Sequence, residues 1–392
     1  MNAVLKNIKV VDLTRTLAGP FSTMMLGDMG AEVIKIEEPE NGDETRSWTP
    51  FWNGESSVFV AFNRNKRGIS VNLKEQEGID LVLSLVKDAD IVVESFRAGA
   101  LDRMGLGYAD IKTINPNIIY CSISGYGRTG PLANKPGYDL LIQAYSSLMN
   151  LTGETDGMPM RVGFSLVDLF TGMMAYGSMM TALYHRNVTG KGQWIEAALL
   201  DGQVAAMSYH GTAYLATGID PLRMGSGHPS LVPYQSFGGS DGNFILGVAN
   251  NGLWQRFCNS IEHPELLEDP RFGQMTIEWL IALNVCGHLT IFLGIIRFRI
   301  GLKISEAGVP CGPINQVSDV VNDPHFLSRD MISGIEHPNI PDLLFPRIPP
   351  ETSRDPPTIR RAPPLLGQHN EEILNELGYS SESIDSLRDR GV

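Results

Sequence analysis

The chain has 392 residues, 43% of them hydrophobic and 19% charged, and a formal net charge of −13. This length predicts two domains, or one large domain with a smaller attachment. The acidic balance argues against nucleic acid or an acidic membrane surface as a partner. The four cysteines form no CxxC pair and the eight histidines form no HExxH motif, which argues against a metal site or a disulfide framework. The first residues show no signal-peptide pattern, so we expect a cytoplasmic protein.

The first half of the chain alternates between apolar strand patterns and helical patterns. The expected strands are IKVVDL (8–13), AEVIKIE (31–37), GISVNL (68–73), DIVVESF (90–96) and NIIYCSIS (117–124). Such a succession predicts an α/β fold, in which a parallel sheet carries helices on both faces. We expect residues 1–205 to form the first part of a large α/β domain. Residues 206–325 change to short strands and turns, which indicates a linker and a small substrate-side domain, and the Pro-rich residues 326–392 form a crossover back to the large domain.

Asp168 is the only charged residue between Gly163 and Tyr184. Ser165 is the expected N-cap of a helix that runs to about Arg186, which makes Asp168 the third residue of a capping box. The helix dipole favours an anion in that first turn. A buried carboxylate is nevertheless costly unless it has a partner. The residues alone therefore leave a capping role and a chemical role open.

Basic residues gather in two places near the ends of expected strands. One group contains Arg64, Lys66, Arg67 and Lys74, and the other contains Arg97 and Arg103. Ligands of α/β proteins bind at the carboxyl ends of the strands, and Arg and Lys bind phosphates through charge-assisted hydrogen bonds. The pattern favours a small polyanionic ligand, with solvated surface charge as the alternative for any single residue.

Several longer motifs occur in a fixed order along nearly the whole chain. They are DLTRTLAGPFSTMMLGDMGAEVIKIEEPENGDETR, NRNKRGISVNLK, ESFRAGALDRMGLGY, ISGYGRTGPLANKPGYDLLIQA, GFSLVDLFTG and AGVPCGPIN. With these motifs the sequence resembles the class III coenzyme A (CoA) transferases, such as the formyl-CoA and carnitine types. The segments GSGHPSLVPYQSF and GVANNGLWQRFC are more similar to the succinyl-CoA:glutarate type.

The resemblance implies a Rossmann-like parallel-sheet large domain, a small α+β domain and an interlaced homodimer. It implies that CoA is a substrate and that no cofactor is tightly bound. The partners would be an acyl-CoA, with succinyl-CoA favoured, and a small carboxylic acid, with neither nucleic acid nor membrane. Asp168 matches the family's nucleophile, which forms an aspartyl anhydride and then an aspartyl-CoA thioester.

The resemblance also assigns residues to the CoA site and to the reaction pocket. The CoA positions are Thr16, Leu17 and Ala18, Val71 and Lys74, Ser95, Phe96 and Arg97, and Arg103 with Met104. The substrate positions are Tyr138 and Asp139, and the small-domain loop Gly225, Ser226, Gly227 and His228. This chain departs from the family pattern at Ser95, where Asn is common, at Ala98, where Pro is common, and at Glu38, where some members carry Arg.

Two other functions fit the same CoA recognition. An α-methylacyl-CoA racemase needs a base on each face of the α-carbon. Those enzymes carry His-Asp where this chain has Tyr138 and Asp139, and tyrosine, with an ordinary pKa of about 10, is a poor base. The second alternative is an acyl-CoA-binding protein without turnover.

The segment 274–303 departs from the resemblance, and its residues from Trp279 to Ile296 include no Asp, Glu, Lys or Arg. A buried or dimer-facing helix and a local reading-frame disturbance are the two leading interpretations. A membrane span is the weakest, because the segment is at the lower limit of length for one.

Overall fold

The computed structural model describes residues 3–239, 242–268, 303–348 and 352–392. The chain divides into two compact units. The first comprises Met1–Leu148, Arg161–Gly218 and Ser328–Val392, and the second comprises Met149–Met160 and Ile219–Leu327. The sequence predicts domain boundaries at residues 205 and 325. In the structure, the chain passes from the first unit to the second after Gly218 and returns to the first after Leu327. Apart from Lys303, the segment 274–303 lies outside the described residues.

The first unit is built on a six-stranded sheet in which every strand pair is parallel. Its strand order is β5-β2-β1-β6-β7-β8. The bounds are β1 Lys9–Leu13, β2 Glu32–Glu37, β5 Lys66–Ser70, β6 Ile91–Glu94, β7 Ile119–Ser124 and β8 Trp194–Ala198; β3 Phe51–Trp52 and β4 Glu55–Ser56 form a separate short hairpin. The predicted α/β fold with a parallel sheet is confirmed. The strand expected over 68–73 instead begins at Lys66, because the charges of Lys66 and Arg67 are paired inside the protein.

Helices cover both faces of this sheet. Adjacent strand residues point to opposite faces, so Val10 and Val93 belong to one apolar cluster and Val11 and Val92 to the other. The helices of the first unit and of its border are α1 Ala18–Asp28, α2 Ser57–Phe62, α3 Gln76–Lys87, α4 Tyr108–Ile114, α5 Asp139–Tyr145, α6 Leu148–Leu151, α7 Leu166–Thr189, α8 Leu199–Ala206 and α9 Ser208–Thr217.

The C-terminal part of the chain covers the outer edge of β5. The N–H of Gly68 donates to His369 Nδ1 at 3.0 Å, and the N–H of Ser70 donates to Asn370 Oδ1 at 2.9 Å. Arg67 pairs with Glu372 and Glu376. The helices here are α13 Asn370–Glu376 and α14 Ser381–Asp389, after the short strands β12 Ile332–Ile335 and β13 Leu343–Pro346.

The second unit has its own sheet and its own core. Three antiparallel strands lie in the order β11-β10-β9, with bounds β9 Tyr234–Gly239, β10 Gly242–Gly247 and β11 Cys311–Pro313. Phe237 and Phe244 pack with Trp254 and Phe257 of helix α10. This is the α+β architecture expected of the smaller domain. Its helices are α10 Asn251–Ser260, α11 Val317–Val321 and α12 Pro324–Ser328.

One described helix, Leu166–Thr189, is long and apolar enough to cross a membrane by length and composition, with a mean hydropathy of 1.2. It is also a core helix, because Val167, Ala175, Met179 and Ala182 are buried in the first unit. A core helix passes the same test, so the composition is weak support for a membrane span.

Candidate active site

A cleft of about 270 Å³ opens at the carboxyl ends of the central strands of the first unit. Loops that follow β1, β6 and β7 form its walls. Ligands of α/β proteins bind at this edge of the sheet, outside the carboxyl ends of the strands. The cleft brings together eight of the residues assigned from the sequence: Thr16, Leu17, Ala18, Ser95, Phe96, Arg97, Tyr138 and Asp168.

Asp168 occupies the first turn of α7, as expected, but Ser165 does not cap this helix with its side chain. The predicted capping box is therefore wrong. Asp139, the first residue of α5, supplies the cap: its Oδ1 accepts the N–H of Val167 at 2.9 Å and that of Asp168 at 3.4 Å. A carboxylate from another helix thus satisfies the free donors that a helix N-terminus presents.

Gln143 extends this contact to the start of the preceding loop. Its Nε2 donates to Asp139 Oδ2 at 2.6 Å, and its Oε1 accepts the N–H of Val162 at 2.9 Å. Asp139 and Gln143 are both buried. One turn of α5 therefore holds the chain at both ends of the segment that delivers Asp168 to the cleft.

The charge state of Asp168 is set by its surroundings. Burial and, to a smaller extent, the neighbouring Asp139 carboxylate together raise its pKa to about 7. The helix dipole favours the ionised form of Asp168, but desolvation and a like charge outweigh it. Among the residues that the structure describes, no Lys or Arg forms an ion pair with Asp168. A poorly solvated carboxylate of this kind has a reactive anionic form at neutral pH.

The cleft also contains two cations that the sequence reasoning missed. Arg15 and Lys135 line it beside Arg97. The Arg15 guanidinium lies 5.0 Å from the centre of the Phe96 ring, and the Arg15 N–H donates to Ser95 Oγ at 3.0 Å. Arg15 lies two residues after β1, and that position in the loop was the signal that could have found it. Lys135 lies in an irregular loop that offers no such signal.

Other assigned residues lie outside the lining of this cleft. Val71 is buried in the core, Lys74 and Arg103 are exposed, and Met104 packs on the core. Gly225 to His228 belong to the second unit, where the N–H of Ser236 donates to Ser226 Oγ at 3.0 Å. The roles of these residues stay predictions.

Three of the basic residues expected to bind phosphate are used inside the protein instead. Arg64 pairs with Asp28 at 2.7 Å, and Lys66 pairs with Asp12 at 3.0 Å. Arg67 pairs with two carboxylates of helix α13. Their assignment to a phosphate site is wrong, because each is buried with its own anion. Within the described ranges, no three His, Cys, Asp or Glu side chains come together as metal ligands.

Comparison with known proteins agrees with this architecture. The model of CoA-transferase family III matches residues 5–370. The succinyl-CoA:glutarate CoA-transferase of Mus musculus is 40% identical over 391 residues, which are 99% of this chain and 90% of that protein. The acetyl-CoA:oxalate CoA-transferase of Acetobacter aceti is 38% identical over 94% of each chain. A solved structure of a CaiB/BaiF family protein from Brucella suis has a TM-score of 0.85 and 39% identity, and the match covers 96% of this chain and 100% of that one.

The fold, the acidic residue in its cleft and these similarities define an enzyme that acts on CoA thioesters. The chain belongs to CoA-transferase family III. It is a CoA-transferase, and enzymes of this class move CoA between acyl-CoA thioesters and carboxylates.

Proposed function

We propose that this enzyme transfers CoA from succinyl-CoA to a small dicarboxylic acid, with Asp168 as the nucleophile. The observation that carries the proposal is the position of Asp168, a desolvated carboxylate facing a cleft that also exposes three cationic side chains. The cations Arg15, Arg97 and Lys135 suit the phosphates of CoA, and the carboxylate suits attack on a thioester carbonyl.

The reaction conserves one thioester bond. A carboxylate oxygen of Asp168 attacks the thioester carbonyl, the C–S bond breaks, and CoA leaves as a thiolate. The thiolate attacks the aspartyl carbonyl of the resulting anhydride, which releases succinate and forms an aspartyl-CoA thioester. The acceptor carboxylate attacks this thioester to give a second anhydride, and the thiolate then takes the new acyl group and frees Asp168. Because anhydrides hydrolyse, water must be excluded, and Leu17, Ile123 and Leu199 line the cleft beside Asp168.

The succinyl donor and the dicarboxylate acceptor are supported by the names of relatives. The succinyl-CoA:glutarate CoA-transferase of Mus musculus, 40% identical, supports both. The succinate–glutarate CoA-transferase of Agrobacterium fabrum and the acetyl-CoA:oxalate CoA-transferase of Acetobacter aceti, each 38% identical, support a dicarboxylate acceptor. We rank glutarate first as acceptor, with mesaconate, malate and oxalate as the panel to compare.

We also propose that the working enzyme is the interlaced homodimer. Soluble monomers rarely expose large contiguous apolar patches, yet helices α5, α7 and α9 expose many large apolar side chains. These are Leu140, Leu141, Tyr145, Met173, Met174, Tyr184, Tyr209, Tyr214 and Leu215. A solution mass near twice 43.0 kDa is the expected result, and a monomer at micromolar concentration contradicts the dimer.

The test is incubation of the purified protein with succinyl-CoA and each acid of the panel. Mass spectrometry follows new acyl-CoA and CoA attached to the protein. Asp168→Ala is expected to lower transfer by roughly 10⁴-fold or more, as removal of a nucleophile does elsewhere, while the variant still binds CoA. Loss of the α-proton without transfer would favour the racemase, and tight CoA binding without turnover would favour the binding protein.

A further inference from the structure

The loop that follows β1 holds an unusual backbone conformation at the edge of the cleft. Thr16 has φ +73°, in the left-handed region. For a β-branched residue this conformation is an outlier that costs on the order of 1–3 kcal/mol and persists only when its surroundings enforce it. Thr16 and its neighbours Arg15 and Leu17 line the cleft.

Side chains from elsewhere hold this loop by its backbone. Asp12 Oδ1 accepts the N–H of Thr14 at 2.9 Å, and Asp43 Oδ1 accepts the N–H of Thr16 at 3.2 Å. Lys35 Nζ donates to the carbonyl oxygen of Thr14 at 2.9 Å. The N–H groups on both sides of Arg15 are therefore bonded to buried carboxylates.

Those side chains are tied to one another by ion pairs that water does not reach. Lys35 and Asp43 form a 2.9 Å pair in which both side chains are 0% exposed, and Lys66 and Asp12 form an equally buried pair at 3.0 Å. The N–H of Asp43 in turn donates to Glu37 Oε2 at 3.0 Å. A pair with this burial is costly to form and brings little stability for that cost, so its geometric effect on the loop is its more distinctive contribution.

We propose that Lys35 and Asp43 are positioning residues, whose buried ion pair fixes the Arg15–Thr16–Leu17 backbone in the conformation that receives the acyl-CoA. The inference rests on the proposed function, because it takes this loop as part of the CoA site. Lys35 lies on β2 and Asp43 follows it in the next loop. They act through the backbone of the loop.

The experiment measures the Kd of CoA without turnover by calorimetry, together with the KM of succinyl-CoA and of the acceptor acid. The variants are Asp43→Asn, Lys35→Met and the double variant. The double variant removes both charges of the pair, so that neither is left buried without its partner. The Kd of CoA and the KM of succinyl-CoA are expected to rise roughly tenfold or more, since small misplacements of a binding group have effects of this size. The KM of the acceptor is expected to change little.

Asp28→Asn is the matched control, because it breaks the buried Arg64–Asp28 pair at the end of α1 away from the cleft. It is expected to lower the melting temperature and to leave the Kd of CoA unchanged. A folded double variant with the wild-type Kd overturns the inference, and so does an Asp28→Asn protein that binds CoA as weakly as the variants. Wild-type protein that binds CoA without transferring it overturns the proposed function alone, and wild-type protein that binds no CoA overturns both.

Discussion

Two acidic residues of the first unit, the buried Asp12 and the half-buried Asp168, have opposite electrostatic surroundings. Asp12 accepts hydrogen bonds from Lys66 Nζ at 3.0 Å and from Thr23 Oγ1 at 2.6 Å. Burial acts to raise the pKa of Asp12, but Lys66, Lys35 and the two threonine hydroxyls outweigh it, and the pKa falls to about 2. Asp168 has a second carboxylate beside it, and its pKa is raised to about 7.

Burial alone therefore does not decide whether a carboxylate is ionised. Around Asp12, lysine side chains and threonine hydroxyls stabilise the anion. Asp12 therefore stays ionised and holds the backbone N–H of Thr14. Around Asp168, no Lys or Arg of the described residues pairs with the acid, and its pKa is raised. The first arrangement holds a loop, and the second belongs to the carboxylate that we propose as the nucleophile.

The strongest test of the comparison is Asp12→Asn. This change leaves the Lys66 ammonium buried without its anion, and removal of one partner of a buried pair costs about 3–5 kcal/mol. We expect the free energy of unfolding, measured by urea denaturation at pH 7, to fall by that amount. A loss below about 1 kcal/mol, the range typical of exposed pairs, would remove the distinction between the two regions.

Gly172→Ala tests the close contact between helix α7, which carries Asp168, and the start of helix α1. A Cβ on Gly172 of α7 would lie 2.7 Å from the carbonyl oxygen of Ala18, at the start of α1. Overpacking of this kind costs about 1–3 kcal/mol, so Gly172→Ala is expected to lower both the stability and the affinity for CoA. Gly177→Ala on the same helix meets no atom within 4 Å and is expected to be neutral or slightly stabilising. Equal effects of the two changes would contradict the close approach.

Asp168→Asn tests how much folding stability the protein loses when the poorly solvated Asp168 carboxylate is ionised. The pKa of Asp168 is about 7 in the folded protein, above the ordinary 3.8, so the native state binds the proton more tightly and loses stability as pH rises between these values. The amide carries no charge and avoids that loss. Its melting temperature is expected to exceed that of the wild type by an amount that grows between pH 4 and 7 and is constant above pH 7. A difference independent of pH would show that Asp168 titrates normally.

Asp139→Asn gives the smallest expected effect. In the wild type, kcat/KM should rise with pH through an apparent pKa near 7, because in the proposed mechanism Asp168 attacks as an anion. The amide oxygen of the variant can still accept the N–H of Val167, but the like charge is gone, so the acidic limb is expected to move to lower pH. Asp139→Ala, which also removes the cap, should in addition cost about 1 kcal/mol of stability. If the acidic limb of the kcat/KM profile stays at the same pH in Asp139→Asn, Asp139 affects only the geometry of the site.

Much of the fold follows from local patterns in the sequence. Runs such as IKVVDL and NIIYCSIS are long, apolar and separated by helical segments, and the parallel sheet was predicted from them. The start of β5 was missed because Lys66 and Arg67 read as loop residues. Their anions lie far away in the chain, at Asp12 and Glu376, and no local pattern reports such pairing.

For the candidate site, too, a local sequence pattern predicts some features and long-range contacts determine others. Asp168 stands out in the sequence as a lone charge, and the resemblance assigned it a role. Its cap could not be predicted, because Ser165 occupies the usual capping position while the actual acceptor, Asp139, lies 28 residues before the donor Val167. The raised pKa comes first from burial and second from the Asp139 carboxylate, and both depend on tertiary structure.

The cover on the outer edge of β5 has a consequence for synthesis of the chain. An edge strand with free N–H groups is a template for pairing with other chains, and here the groups that occupy those positions, His369 and Asn370, are made about 300 residues after Gly68 and Ser70. Until they emerge from the ribosome, the sheet has an open border. We expect a chain that stops before residue 369 to aggregate even with Asp168 and the cleft loops intact, so the last residues protect the sheet edge from self-association.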